Sequence, residues 1–301
     1  MSESDAFAGP AMGEDAWKLL VERASCRNFA DKTIPPQVLQ KVLLAGVHAA
    51  TGGNLQPYSV IQIQEEDSRQ RLAELCEQSF MARAPVHLLF CIDFYRLARW
   101  TRLNVAPFTA TQAFRHFWIA FQDTMICAQS ICTAADALGL GSVYIGTVLE
   151  CFVDLRGMLQ LPDGVFPVVL LCLGYPKSRP HPRPKLGVDV VVHAERYHER
   201  DDETLLAAFE DKYRDRQWEP TPERRATLAK VCTRVHGPAF AEKCLAQVEA
   251  DGYINMAQYY FGLHYRADQM PQGNDDYLAL MEQFGFDWFK PYQPLEDGGD
   301  D

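Results

Sequence analysis

Apolar and polar positions along this chain follow two rhythms, and the switches between them mark out its elements. Residues 14–22 carry a short helical pattern that ends at Arg23. Pro35-Pro36 opens a second helix, because proline is tolerated in a first helical turn. Leu39, Val42, Leu43, Gly46 and Val47 then recur at helical spacing, up to a stop at Gly52-Gly53. Residues 57–64 alternate as a strand does, and a charged helix follows over about 66–80. Val86 to Ile92 is continuously apolar, as suits a strand covered on both faces. A connection occupies 93–110. From Thr111 to Leu138 runs a long helix whose polar positions (Gln122, Asp123, Gln129, Asp136) are too few for a solvent face, so it belongs inside a large core or across a subunit interface.

The pattern continues with a short strand at Ser142–Ile145, a helix over 149–160 and a second buried strand from Phe166 to Leu173. A basic, proline-rich linker fills 177–187, and Val188 to Val192 reads as a last short strand. Residues 202–216 and 221–250 read as helices, and 253–292 is dense in aromatics. Helices and strands are mixed without strict βαβ alternation, which makes the fold class α+β. Residues 1–13 are expected to be disordered, and 295–301 to form a solvated acidic tail.

Composition narrows the partners. The 301 residues suit one large domain or two modest ones. A net charge of -11 with no run of Lys or Arg argues against a nucleic-acid partner. No stretch reaches the roughly 18 uninterrupted apolar residues of a membrane span. The acidic start, Met-Ser-Glu-Ser-Asp, lacks the apolar region of a secretory signal. The nine cysteines are scattered, odd in number and free of any C-x-x-C pair, so they read as reduced, buried thiols of a cytoplasmic protein.

Three distant segments carry candidate chemistry. In Arg23-Ala24-Ser25-Cys26-Arg27-Asn28-Phe29, an extended backbone projects residues i, i+2 and i+4 to one side. Arg23, Ser25 and Arg27 then converge on one anion, guanidinium forks matching phosphate oxygens; otherwise the segment is a surface turn with two solvated arginines. In Gly52-Gly53-Asn54-Leu55-Gln56-Pro57, paired glycines allow backbone close to a flat ligand, and Asn54 and Gln56 offer hydrogen bonds to a heteroaromatic edge; the bland alternative is a glycine helix stop and a loop. Gly139-Leu140-Gly141-Ser142-Val143-Tyr144-Ile145-Gly146-Thr147 has tyrosine where G-x-G-x-x-G needs glycine and follows a helix, so it is no dinucleotide fingerprint. A glycine at a strand end instead presents a bare N–H. The histidines His193 and His198 are five apart and match no metal-ligand spacing, so no metal is expected, and no nucleophile elbow suggests a hydrolase.

Together these segments resemble the nitroreductase family of flavin oxidoreductases, above all its oxygen-insensitive NADPH nitroreductase and flavin reductase branch. The resemblance spans roughly residues 15–216. It rests on R-x-S-x-R-x-F at 23–29, G-G-N-L-Q-P at 52–57, A-L-G-L-G-S-V-Y-I-G at 137–146, F-P-V-V-L-L-C-L-G-Y-P at 166–176 and V-V-V-H-A-E-R-Y at 190–197. It implies a mainly antiparallel mixed sheet flanked by helices, and a homodimer with FMN at the subunit interface and the long helix in the dimer core. Arg23, Ser25 and Arg27 stand at the phosphate and ribityl anchors, joined by Arg183 and Lys185 of the linker. Gly52, Gly53, Asn54 and Gln56 stand as a wall for the flavin and Gln78 at its pyrimidine edge. Tyr144, Ile145, Gly146 and Thr147 form the strip beside it. Arg216 matches an arginine directed at the NADPH 2′-phosphate, while Trp100, Phe108 and Phe114 are placed to shape the acceptor pocket.

The resemblance further implies hydride passing from NADPH or NADH through the flavin to a small-molecule acceptor (nitroaromatic, quinone or flavin) by a ping-pong mechanism, with no catalytic acid or base on the protein. It divides the chain into an FMN-binding domain over 14–217 and a helical, aromatic-rich extension over 218–294, packed on the core or the partner subunit. Two departures stand out: alanine at position 24, where the branch carries a polar residue, and an extension beyond about 217 that passes the usual end of the family. They keep two other readings in play, a specialised tailoring relative and a flavin carrier or sensor without nicotinamide turnover.

Overall fold

The structure, a computed structural model, describes residues 14–294. The expectations for 1–13 and 295–301 lie outside the described residues. The described residues divide into two compact units, residues 14–182 with 277–294, and residues 183–276. The division therefore falls within the basic linker rather than at 217, and the last segment returns to the first unit.

The first unit is built on four strands: β1 (Tyr58–Ile63), β2 (Val86–Asp93), β3 (Gly141–Ile145) and β4 (Val165–Gly174). Their order is β1-β2-β4-β3, and every pairing is antiparallel. The two continuously apolar runs take the centre, where each residue of β2 and β4 is buried. The register of β2 against β4 slips between Phe90 and Cys91, opposite Pro167, which has no N–H to give to a ladder.

Around the sheet lie α1 (Glu14–Val21), α2 (Pro36–Val47), α3 (Glu66–Leu75), α4 (Phe94–Leu103), α5 (Phe114–Ala137) and α6 (Phe152–Leu159). Helix α2 ends at Val47, short of Gly52-Gly53, and Gly52–Asn54 forms a separate 3-10 turn. The 93–110 connection contains a true helix, α4. Its N-cap is Asp93, whose carboxylate accepts the Arg96 N–H at 2.9 Å. That cap is the last residue of an apolar strand, which hides the start signal from a periodicity reading.

The second unit is helical: α7 (Val188–Val191), α8 (Asp202–Tyr213), α9 (Pro222–His236), α10 (Pro238–Asp251) and α11 (Met256–Gln258), the last running into a π-helical turn at Tyr259–His264. The strand expected at Val188–Val192 is instead the turn α7, with the Val190 and Val191 N–H groups both returning to the Gly187 carbonyl. No described strand pairs with this segment, so its valines cannot realise a β preference that depends on neighbours. The helical stretch at 221–250 is broken at Gly237, whose φ of +90° leaves the helical region just before Pro238 opens α10. Leu228, Cys232, Ala241, Val248 and Ile254 form the core of this unit.

Helix α12 (Asn274–Gln283) leads the chain back into the first unit. There Met281, Phe284 and Phe286 are buried in the main core, and the Phe284 carbonyl accepts the Gly164 N–H at 2.7 Å. The Phe286 ring lies 5.8 Å from the rings of both Phe94 and Phe117.

Candidate functional site

The first group of expected site residues gathers at the β3 edge of the sheet. Residues 23–28 belong to no helix or strand and are tied to β3 at Cys26, whose N–H donates to the Ser142 carbonyl at 2.9 Å. Cys26 faces inward and is buried, which turns its neighbours Ser25 and Arg27 outward. Arg23 reaches over the strand: its Nε donates to Cys132 Sγ at 3.2 Å, and Nη2 donates to Ser142 Oγ at 3.3 Å. Its guanidinium carbon sits 5.9 Å from the centre of the Tyr144 ring. That of Arg27 lies 6.0 Å from the Phe80 ring. Two residues before Phe80, the Gln78 amide donates to Thr147 Oγ1 at 3.1 Å. Arg23, Arg27, Gln78, Tyr144 and Thr147, remote in sequence, therefore share one corner of the fold. Gly146 is exposed there, and a Cβ added to it meets nothing within 4 Å.

The second group lies at the opposite edge, ahead of β1. Gly53, Asn54 and Gln56 all have positive φ (60°, 54° and 49°), an uncommon conformation for the two with side chains. The loop is held from below by Asp123 of α5, whose carboxylate oxygens both accept the Gly52 N–H, at 3.1 and 3.0 Å. Gln56 serves the loop itself, its amide donating to the Val47 carbonyl at 3.0 Å. Arg96 of α4 donates to the carbonyls of Gln56 and Tyr58 at 2.6 and 2.8 Å. A cavity of about 500 Å³ opens beside this loop, with Leu55, Gln56, Ser59 and Arg96 among its walls.

These two groups do not meet within one chain. β1 and β3 are the outer strands, so roughly 14 Å of sheet separates them. Helix α5 spans the gap, with Asp123 under the Gly52 loop and Asp136 under Arg23, which puts the two carboxylates roughly 20 Å apart along the axis. Asp136 pairs with Arg23 Nε at 3.6 Å and with Arg179 Nη1 at 3.7 Å. Burial pushes the Asp136 carboxyl up from its ordinary range, against the pull of Arg23 and Arg179. Burial likewise pushes Asp123 up, opposed by the Gly52 N–H. Sequence reading marked these carboxylates only as breaks in an apolar pattern. The signal that identifies them is that a buried carboxylate must find a partner. Arg179 and Phe80 gave no sequence signal.

Arg183, Lys185 and Arg216 are exposed residues of the second unit. Phe108 packs edge-on against Phe94, with ring centres 6.0 Å apart, and Phe114 lies 5.0 Å from Trp288; both join the aromatic layer of the first unit. Among the described residues, no group of three or more His, Cys, Asp or Glu is arranged to hold a metal. No helix of the described residues is long and apolar enough to cross a membrane.

The donor set at the β3 edge, two guanidiniums and a serine hydroxyl beside an open glycine backbone, suits a phosphate joined to a flat ring. The family model "Nitroreductase family" matches residues 20–175, which contain both groups. The chain belongs to the nitroreductase family. It is 31% identical over 196 residues to the oxygen-insensitive NADPH nitroreductase of Salmonella typhimurium, covering 65% of this chain and 79% of that protein. It is equally 31% identical over 198 residues to an FMN reductase [NAD(P)H] of Bacillus subtilis, covering 65% and 80%. The solved structure of B. megaterium NfrA2 superposes with a TM-score of 0.68 at 25% identity, over 92% of this chain and all of that one. A match over 92% of the chain cannot be confined to the first 217 residues, so part of the segment beyond them has a counterpart in that structure.

Proposed function

We propose that this chain is an NAD(P)H-dependent, FMN-binding oxidoreductase that works as a homodimer and delivers electrons to a nitroaromatic, quinone or flavin acceptor. The observation that carries the reading is the meeting of Arg23, Arg27, Gln78, Tyr144 and Thr147 at one corner of the sheet. Arg23, Ser25 and Arg27 bind the phosphate end, and Gln78 and the 144–147 strip flank the ring. Arg183 and Lys185 add positive charge from the linker, and Arg216 serves the nicotinamide nucleotide. FMN, when bound, supplies the two-electron carrier between nicotinamide and acceptor. The chain's own residues bind and orient, and the cationic anchors favour negative charge nearby. Nicotinamide and acceptor use the same open face in turn, which gives ping-pong kinetics. Phe108 and Phe114 bound the acceptor side.

A second copy completes the site. The Gly52–Gln56 wall and the phosphate corner stand on opposite edges of one sheet. A two-fold axis sets the wall of one chain beside the corner of the other, because an isologous contact is reciprocal. Helix α5 offers the surface for it. Helical spacing puts Phe114, Trp118 and Phe121 in one exposed apolar stripe at its N-terminal end, and Ile126 further along it and Leu44 and Val47 of α2 are exposed as well. An uncovered apolar stripe of this kind marks an association surface.

The test is a titration of the full chain under anaerobic conditions. FMN-loaded protein should lose its yellow colour on addition of NADPH or NADH and regain it with a quinone or nitroaromatic, and should run as a dimer in light scattering. Failure to bind FMN, or a bound flavin that no nicotinamide reduces, refutes the reading.

A further inference from the structure

We propose that Asp136 is a positioning residue for the phosphate corner, and that Arg179, held by the same carboxylate, is a further phosphate-binding arginine. This inference rests on the flavin reading of the corner.

Asp136 sits in the last turn of α5, buried, with one oxygen facing Arg23 and the other facing Arg179. Neither contact is a hydrogen bond: both exceed 3.5 Å, and Asp136 Oδ2 has no hydrogen-bond partner among the described residues. A buried carboxylate left without hydrogen bonds is costly. It weakens the fold locally unless its charge orders something else, and what it orders is two guanidiniums from distant parts of the sequence. Arg23 is fixed further through Cys132 and Ser142, but those hydrogen bonds use only Nε and Nη2. Nη1 and its two N–H groups remain for a ligand. The Arg179 side chain is 58% exposed, and its only ion pair among the described residues is the one with Asp136. Two arginines against one carboxylate leave a net positive corner, the charge a phosphate monoester needs.

The sign of the effect separates positioning from plain electrostatics. Asp136→Asn keeps the shape and removes one negative charge. Coulomb attraction alone then predicts tighter binding of a phosphate dianion, because the corner becomes more positive. Positioning predicts weaker binding, because Arg23 and Arg179 lose the charge that aims them.

The experiment is a fluorescence titration of the full-length protein with FMN and with riboflavin, which lacks the phosphate. The quantity read is the preference for FMN over riboflavin, which a general loosening of the fold does not change. Asp136→Asn should lower that preference about tenfold, and Arg179→Gln about threefold, with the Arg179 effect fading as salt is raised. A preference unchanged or increased in Asp136→Asn overturns its positioning role. An unchanged preference in Arg179→Gln overturns the role of Arg179. Because Arg179 is largely exposed, that variant folds and keeps the test alive if Asp136→Asn does not. Wild-type protein that shows no preference for FMN overturns the phosphate reading itself and the proposal with it, a result distinct from a loss confined to the variants.

Discussion

A single backbone donor, the Gly52 N–H, lies 3.1 and 3.0 Å from the two carboxylate oxygens of Asp123. The contact bridges 71 residues and ties a loop with three consecutive-region positive φ values to the middle of the longest helix. Loops carry binding residues best when a rigid element fixes them. Here α5 holds the Gly52 loop through Asp123 and faces Arg23 through Asp136, so one helix sets the span between these two edges of the sheet.

Asp123→Ala should therefore loosen the wall without touching the corner. It strands the Gly52 N–H beside a small void, and the expected loss is about 1–3 kcal/mol of stability. Asp123→Asn keeps an acceptor oxygen and should lose less. Urea unfolding of the two variants against the wild type reads both values. Equal stability for all three proteins would show that the contact contributes nothing.

Gly141 and Gly146 stand at the two ends of the β3 strip and should differ in what substitution does to stability. A Cβ on Gly141 falls 2.7 Å from Cys26 Cβ and 2.9 Å from its Sγ, in the seam that holds the 23–27 segment on β3. Gly141→Ala should cost about 1–3 kcal/mol and weaken flavin retention as the arginines shift. At Gly146 the added Cβ meets nothing within 4 Å, so Gly146→Ala should leave stability within about 0.5 kcal/mol. Flavin affinity should still fall there if the ring lies against that backbone. Thermal melts with and without FMN separate the two effects, and a Gly146 variant that binds FMN like the wild type removes position 146 from the site.

Much of the core was legible because burial imposes simple patterns. The apolar runs at 86–92 and 166–173 could only be central strands, and the apolar helix at 111–138 could only be internal or interfacial. Three things were hidden. Asp93 caps α4 from inside an apolar strand, so its helix looked like a connection. The valines at 188–192 had the composition of a strand but no neighbour to pair with. The aromatics past residue 253 were expected on the core or on a partner subunit, but that Phe284 and Phe286 are the ones that fill the main core, more than 100 residues past β4, shows only in the fold. At the β3 corner, Arg23 and Arg27 stood out as residue types at a fixed spacing, and Gln78 only through the family resemblance. Asp136 and Arg179 did not, because their role comes from a tertiary contact.

His87 should give the fold a measurable weakness in acid. It is fully buried on β2, and burial pushes its pKa down to about 4, against the favourable contact of Nε2 with the Met81 carbonyl at 2.9 Å. The unfolded chain titrates near 6.5. Between these values the unfolded state binds more protons, so stability is fully present above pH 6.5 and drains away as the pH falls toward 4, by about 3 kcal/mol at most. Asp123 and Asp136 act in the other direction: their raised folded pKa values favour the fold below the ordinary carboxylate pKa of 3.8 and lose that contribution as the pH climbs. Melting temperatures from pH 7 to 4.5 should drop more steeply for the wild type than for His87→Gln. Parallel curves would remove His87 as the cause.

Arg27→Ala isolates ligand binding from folding more cleanly than any other change at the corner. Arg27 is exposed, and its only described interaction is the guanidinium 6.0 Å from the Phe80 ring, worth at most about 1 kcal/mol at such a site. Stability should thus change by less than that. FMN affinity should fall by about 10–100-fold, the cost of removing a charge-assisted contact to phosphate. Riboflavin affinity should hold, since the lost partner is the phosphate and not the ring. Arg23→Ala, by contrast, also strips the ion pair from buried Asp136 and should lower both FMN affinity and the melting temperature. Titration and melting of the two variants side by side test the assignment: FMN affinity unchanged in Arg27→Ala refutes a phosphate contact there, whatever Arg23→Ala does.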